Sequence, residues 1–474
     1  MQNDGLELPT PRMVPPLDPG FCPAALATSS FSAAALASGR ALPVRIGLEQ
    51  ADGSVFLFLT RIFDATDPRG AGNFTHVERL VKFLLWSRGG WRVYLDAPKG
   101  IGDRLSRHFS ETPTGRFDST TIGEKIYDHP IEVVVTHDIP PSRSATKPLG
   151  RHLDGCRIGF DLGGSDRKVA AVIDGRVVFS EETVWDPYFH PDPQYHFDGV
   201  MDSLRKAAAH LPRVDAIGGS SAGVYVNNRV KVASLFRGVA PDLFNKRVKD
   251  LFLEIQGAWN GIPLEVVNDG EVTALAGSMS LGKNAVLGLA LGTSLAAGFV
   301  TRDGNITSWL NELAFAPVDY RPDAPRDEWS GDYGVGAQYF SQQAVGRLMP
   351  AAGIEVDAKM PLPEKLKHVQ ELMAQGDGRA RRIYETIGTY LGYALAHYAD
   401  FYDFEHVLIL GRVTSGQGGE IILGLAEQVL RAEFPGLAER IAFHVPDEKD
   451  KRHGQAVAAA SLTATIELES RLAN

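Results

Sequence analysis

Ile158-Gly-Phe-Asp161-Leu-Gly163-Gly164-Ser165-Asp-Arg-Lys168 carries a β-type run into a turn of small residues and out again. Sliding the chain by 129 positions lays Gly159, Leu162, Gly163, Ser165, Asp174 and Gly175 on Gly288, Leu291, Gly292, Ser294, Asp303 and Gly304 without a gap. The repeat implies two copies of one unit: a strand, a Leu-Gly-(Gly/Thr)-Ser turn, a returning strand, and an Asp-Gly pair suited to a tight turn with positive φ. In the first copy the small residues let backbone N–H groups approach an anion, Ser165 adds a hydroxyl, and Asp161 sits where it could hold a metal-bound water beside phosphates. The plainer reading, an ordinary hairpin, leaves unexplained an acid at the end of a buried-type strand. In the second copy Ala290 takes the place of the acid, so Thr293 and Ser294 offer N–H and hydroxyl donors alone.

Between the copies, Leu264-Glu-Val-Val-Asn268-Asp269-Gly270 is a β-type run that stops at polar residues and enters an Ala-rich helical stretch expected over Gly270–Ser280. Asp269 would then stand at a strand end beside a helix N-terminus, where reacting groups gather in α/β sheets. A helix cap accounts for one of Asn268 and Asp269 but not for both. Further helices are expected at Asp198–Leu211, Ala240–Trp259, Gln338–Leu348, Arg379–Tyr402, Glu420–Phe434 and Gln455–Glu469, with strands between them, which argues for α/β layers. Asp186, His190, Asp192, His196 and Asp198 share one loop; their spacing matches no standard metal pattern, and the loop is read as overhanging the cleft.

Outward from this repeat, residues 1–42 are Pro-rich and then Ala/Ser-rich without periodicity and read as a flexible arm. Residues 43–150 read as a small accessory α/β module with a helix around Val77–Trp86, closed by a Pro-rich linker from Ile139 to Arg151. Residues 151–283 and 284–474 form the two repeat-bearing lobes, with the final helix free to return to the first. A net charge of −10 in 474 residues supplies no basic field for nucleic acid. Two cysteines, Cys22 and Cys156, are too few for a disulfide framework and predict a reducing, cytoplasmic setting. No apolar run approaches the ~20 residues that span a bilayer, and the acidic, Pro-rich opening is unlike a signal peptide, so no membrane partner is expected.

In its order of elements, the stretch 158–474 resembles the ROK (repressor, ORF, kinase) sugar kinases of the actin/hexokinase/Hsp70 superfamily. Asp161-Leu-Gly-Gly-Ser resembles the family's DxGGT phosphate motif, Ile217-Gly-Gly-Ser-Ser221-Ala-Gly223 its loop onto the sugar, Val267-Asn268-Asp269 its Asn-Asp pair, and Asn311-Glu312-Leu-Ala-Phe315 its GEIGH. Leu291-Gly-Thr-Ser stands for the second phosphate motif and Leu410-Gly411 for the glycine strand end near the nucleotide. The resemblance implies an α/β protein of two actin-like (ribonuclease H-like) lobes with a cleft between. It further implies ATP-dependent phosphorylation of a sugar hydroxyl, with Asp269 as general base and Asn268, Glu312, Ser221 and Gly223 on the sugar. ATP would lie on Gly163, Gly164, Ser165, Lys168, Gly292, Thr293, Ser294 and Gly411, with Mg2+ held through water by Asp161, and fold analogy implies a homodimer. Phe315 replaces the family's zinc-binding His and no cysteine follows it, so no structural zinc is expected. Ala337 removes one expected sugar contact, and Ser294, Ala296 and Ala297 replace glycines of the second phosphate loop. These departures keep open a sugar-binding sensor that retains the cleft without the chemistry; the repressors' helix-turn-helix finds no counterpart in residues 1–150.

Overall fold

The computed structural model describes residues 8–144, 148–445 and 451–465. Near the N-terminus β1 (Leu42–Glu49) and β2 (Val55–Ile62) form a hairpin; β3 (Arg92–Asp96) lies antiparallel on the other side of β1, and β4 (Glu132–Val135) runs parallel to β3. Val44, Ile46 and Leu48 alternate along β1 and are buried, the period-two pattern of a strand with one covered face. The helix Asn73–Arg88 is buried almost throughout, including Glu78, Arg79, Lys82 and Arg88. Its charges therefore need partners inside the protein.

The expected loose arm over residues 1–42 is corrected by a helix, Ala24–Ala37, in which Ala24, Ala27, Phe31 and Ala35 are buried. Phe31 stacks on His76 with ring centroids 4.4 Å apart. Ahead of it, the Cys22 N–H donates to the Asp319 carboxylate and Asp18 accepts from Arg321 and from the Tyr390 hydroxyl. The physical reason for the difference is that a helix of small residues covered on more than one side shows no apolar stripe against a polar face.

The first lobe's sheet comprises β5 (Cys156–Leu162), β6 (Asp166–Ile173), β7 (Arg176–Val184), β8 (Ala216–Ser221) and, past the short hairpin β9 (Val224–Val226) and β10 (Arg229–Val232), β11 (Leu264–Asn268). Its order is β11-β8-β5-β6-β7, with β5, β8 and β11 parallel and β6 and β7 antiparallel. The second lobe repeats the plan with β12 (Val286–Leu291), β13 (Leu295–Val300), β14 (His406–Leu410) and β15 (Ala442–His444) in the order β13-β12-β14-β15. The repeat found by sliding the sequence is thus a pair of antiparallel hairpins, β5–β6 and β12–β13.

The repeated glycines mark where a helix lies against each sheet. A Cβ on Gly159 would stand 1.8 Å from the Ala456 carbonyl oxygen, and one on Gly218 would stand 1.7 Å from that of Ala459, so the helix Lys451–Ala460 returns to the first lobe. Gly288 plays this part in the second lobe against Ala274 of the helix Asp269–Leu281. Most expected helices are present with shifted ends. Ala240–Trp259 instead breaks into Pro241–Leu243, a wide turn at Phe244–Val248 and Leu251–Ala258. The C-terminal part of the expected Gln455–Glu469 helix lies outside the described residues.

The first lobe has its own core around Phe160, Ile217, Phe252 and Val266. The N-terminal module does not: Val44, Ile46 and Phe83 belong to one continuous core with Leu289, Phe299 and Tyr390 of the second lobe. Residues 43–150 therefore act as an extension of that lobe. No described helix is long and apolar enough to cross a membrane.

Candidate active site

Parallel pairing brings three strand ends to one level, with Leu162 opposite Ser221 and Ser221 opposite Asn268. Polar residues concentrate at this edge, as they do at the carboxyl ends of α/β sheets. Asn268 caps the following helix: its Oδ1 accepts from the Gly270 N–H at 2.8 Å, while its Nδ2 donates to the Gly223 carbonyl at 2.7 Å. The cap reading is correct for Asn268, and Asp269, the first helical residue, shares the bond: its Oδ1 accepts from the same Gly270 N–H at 3.0 Å. Burial raises the Asp269 carboxyl to about 6, and the nearby Asp161 carboxylate adds to the shift. Asp161 is itself raised by burial, against the Ser220 hydroxyl that donates to it at 2.6 Å.

Glu312 comes from a different lobe to this cluster. Burial raises its carboxyl to about 7, with Asp269 as the further cause. Its backbone is held by a helix end: the N–H groups of Leu310, Asn311 and Glu312 donate to the carbonyls of Arg88, Ser87 and Trp86 at 3.1, 3.0 and 2.9 Å. The last carbonyls of a helix have no partner within it, and here the strand of chain bearing Glu312 supplies one to each.

Glu271, which the sequence reading missed, completes the cluster. It is 5 % exposed, accepts from Asn311 Nδ2 at 2.9 Å, and is raised to about 8 by burial, with Glu312 a further cause. Asn311 in turn accepts from the Tyr402 hydroxyl at 2.9 Å. The available signal was an acid in the first turn of a helix that is otherwise small and apolar. Dipole complementarity explains such an acid equally well.

Ser221 is fully buried, and its Oγ accepts from the Tyr225 hydroxyl at 2.6 Å. The Ser221 hydroxyl, expected on the sugar, anchors Tyr225, whose hydroxyl is raised by burial and by the Asp269 charge. Gly223 does stand at the opening, through its bond from Asn268.

The hairpin turns differ from the phosphate reading in detail. Ser165 Oγ donates to Asp166 Oδ2 at 3.0 Å and Lys168 Nζ pairs with Asp166 Oδ1 at 3.1 Å, so both expected phosphate ligands of the first turn are tied to an acid. Gly164 is small for another reason: a Cβ there would lie 2.1 Å from the Tyr188 hydroxyl. The Gly163 carbonyl accepts from Trp185 Nε1 at 2.8 Å. The loop from Asp186 to Asp198 thus buttresses this hairpin. Its members serve packing: Asp192 caps the helix Pro193–Ala208, His190 stacks on Tyr195, and buried His196 meets the carbonyls of Pro187 and Leu235. The turn of β12–β13 is open, with Thr293 and Ser294 exposed and Gly411 packed against Leu291. Among the described residues no group of three or more His, Cys, Asp or Glu side chains is arranged to hold a metal ion.

No protein-family model matches the chain, and no curated protein matches it in sequence. Solved structures do. A ROK hexokinase from Thermus thermophilus superposes with a TM-score of 0.51 at 18 % identity, over 66 % of this chain and 99 % of that one. The fold is that of the ROK proteins. A ROK glucokinase from Streptomyces griseus, solved with glucose and AMPPNP, gives 0.46 at 21 % identity over 65 % of this chain and 98 % of that one. A ROK transcriptional regulator, a homolog of the E. coli MLC protein, gives 0.49 at 21 % identity over 65 % and 79 %.

On this ROK fold the segment after Glu312 is held by the N-terminal module. Phe315 packs on Trp86 (ring centroids 4.5 Å apart) and on Trp329 (5.5 Å). Asp332 pairs with Arg79 at 3.1 Å and with Lys82 at 2.9 Å, and Lys82 also holds Asp118 at 2.7 Å, all of them buried. Although burial opposes it, Arg79 and Lys82 keep Asp332 well below the ordinary carboxylate range. Ala337 is buried, its N–H on the Ala314 carbonyl.

Proposed function

We propose that the protein phosphorylates a sugar hydroxyl from ATP, with Asp269 as the general base. The observation that carries this reading is the Asp269 carboxyl at a strand end, raised to about 6 by burial although its Oδ1 accepts from the Gly270 N–H at 3.0 Å. A base in this range is largely ionised at neutral pH and still able to take a proton, the balance that general-base catalysis favours. Asp269 accepts the hydroxyl proton as the sugar oxygen forms its bond to the γ-phosphorus and the bond from that phosphorus to the bridging oxygen breaks, releasing ADP. Glu312 accepts from a neighbouring sugar hydroxyl, and Asn268 fixes the Gly223 loop above it.

ATP with a divalent cation supplies the phosphoryl group and the countercharge. The exposed turn donors Thr293 and Ser294, with Gly292 and Gly411, fit an anionic tail on the second lobe; Asp161, at the end of β5, is the proposed holder of the cation through water. Positioning and charge stabilisation dominate such transfers. ADP release across hexoses, N-acylated amino sugars and polyols, with binding followed in parallel by thermal shift, tests the proposal; turnover of none of them removes it.

A second reading, a sugar sensor without transfer, is favoured by Asp166, which occupies Ser165 and Lys168 and places an acid where phosphate would lie. Sugar binding with no ADP release would select it.

A further inference from the structure

We propose that the acceptor is a neutral saccharide of at least two rings, and that its second ring occupies a cavity between the N-terminal module and the lobes. This rests on the sugar-binding reading of the adjoining site. The cavity has a volume of about 320 Å³, within the span of small-molecule sites. It is lined by Asn268 and Gly223, which also belong to the candidate acceptor site, so the two adjoin.

Three parts of the chain build the cavity. The module gives Gln50 and Tyr127, the first lobe gives the β9–β10 hairpin with Val226, and the second lobe gives Trp309. Bonds hold these walls in place without a ligand. Gln50 Nε2 donates to the Arg88 carbonyl at 2.7 Å, and Asn228 ties the hairpin turn to β11 through the Leu264 carbonyl and the Val266 N–H at 2.7 and 2.8 Å.

The lining chemistry selects the ligand class. Carboxyl groups of Asp52, Glu265 and buried Glu271, with the amides of Gln50 and Asn268, match hydroxyl donors and acceptors. Among the described residues that line the cavity there is no lysine or arginine to receive a phosphate or carboxylate substituent. The rings of Tyr127, Tyr225 and Trp309 supply the apolar surface that a sugar's C–H face requires.

The test is titration calorimetry on the full chain with glucose, mannose and N-acetylglucosamine, and with a 1,4-linked disaccharide of each. One disaccharide is expected to bind at least about tenfold tighter than its own monosaccharide. Val226→Trp, which fills the cavity, should erase that gap and leave the monosaccharide Kd unchanged. Glu271→Gln, which keeps the Asn311 bond, should weaken the disaccharide several-fold and guards against a Val226 variant that fails to fold. Equal binding of one- and two-ring sugars, or a gap that survives Val226→Trp, overturns the proposal. If monosaccharides are phosphorylated while no disaccharide gap exists, the cavity assignment alone fails; if no saccharide binds, the kinase reading falls with it.

Discussion

The hairpins β5–β6 and β12–β13 share a skeleton, and they differ in what their turns leave free. The first is closed: Tyr188 and Trp185 pack on its glycines, Asp166 occupies Ser165 and Lys168, and the charge of buried Asp161 helps raise Asp269. The second is open, with unencumbered hydroxyls at Thr293 and Ser294. A duplicated unit thus fixes the architecture, while the unlike residues at corresponding positions leave an acid end and an end with exposed hydroxyls.

The sharpest test of that division lies at the acid end. Asp269→Asn keeps the shape and removes the base, so kcat should fall by about 10²–10⁴ with sugar binding spared, read by ADP release and by calorimetry. Unchanged kcat would leave the acid end without chemistry and break the comparison.

The next largest effect concerns what holds Glu312 to the acid end. Asp332→Asn leaves Arg79 and Lys82 facing one carboxylate fewer inside the protein. Breaking a buried pair in this way costs about 3–5 kcal/mol, and a lowered urea midpoint at unchanged m-value measures it. Because the 312–332 segment carries Glu312, the KM for sugar should rise in the folded variant more than the KM for ATP. Equal changes in both would make the ion cluster a general brace with no tie to the site.

How much of this was legible beforehand follows from the range of the interactions. Asp174-Gly175 sits in its hairpin turn and Gly159 and Gly288 recur at a fixed offset, so the repeat could be read locally. Asn268 and Asp269 were legible as a pair, and their separate duties were not: both accept from the Gly270 N–H, while Asn268 also donates to the Gly223 carbonyl, 45 positions away. Glu271 and Asp166 were passed over because a first-turn acid and a turn acid each have an ordinary explanation, and their partners Asn311 and Lys168 decide otherwise. The N-terminal module looked separable because its helix Asn73–Arg88 pairs with Asp332 across 253 positions, a match that no local pattern records.

Depth of the acid end can be read from pH. Glu271 is raised from its ordinary value to about 8 and Glu312 to about 7, burial being the main cause of each. The folded state then binds protons that the unfolded chain has already released, so the stability these two groups contribute is greatest below the ordinary carboxylate pKa and is lost as pH rises toward 8. Each such group contributes a slope of about 1.4 kcal/mol per pH unit across its window. Glu271→Gln should flatten the fall in Tm between pH 5 and 8, as roughly one group's slope is removed; an unaltered slope would place Glu271 in contact with water.

The smallest effect bears most directly on the two turns. Thr293→Val with Ser294→Ala removes two exposed donors, each worth about 1 kcal/mol where it meets an acceptor, so the KM for ATP should rise by roughly thirtyfold. Ser165→Ala should change it by less than about twofold, since that hydroxyl already donates to Asp166 and exchanges nothing with a phosphate. Asp166→Asn then distinguishes the two accounts of the closed turn. If Asp166 holds Ser165 and Lys168 back from a phosphate, the KM for ATP should drop, because a like charge is removed and two donors are released together. If it rises, Asp166 belongs to the hairpin's own framework, and the donor end alone binds the nucleotide.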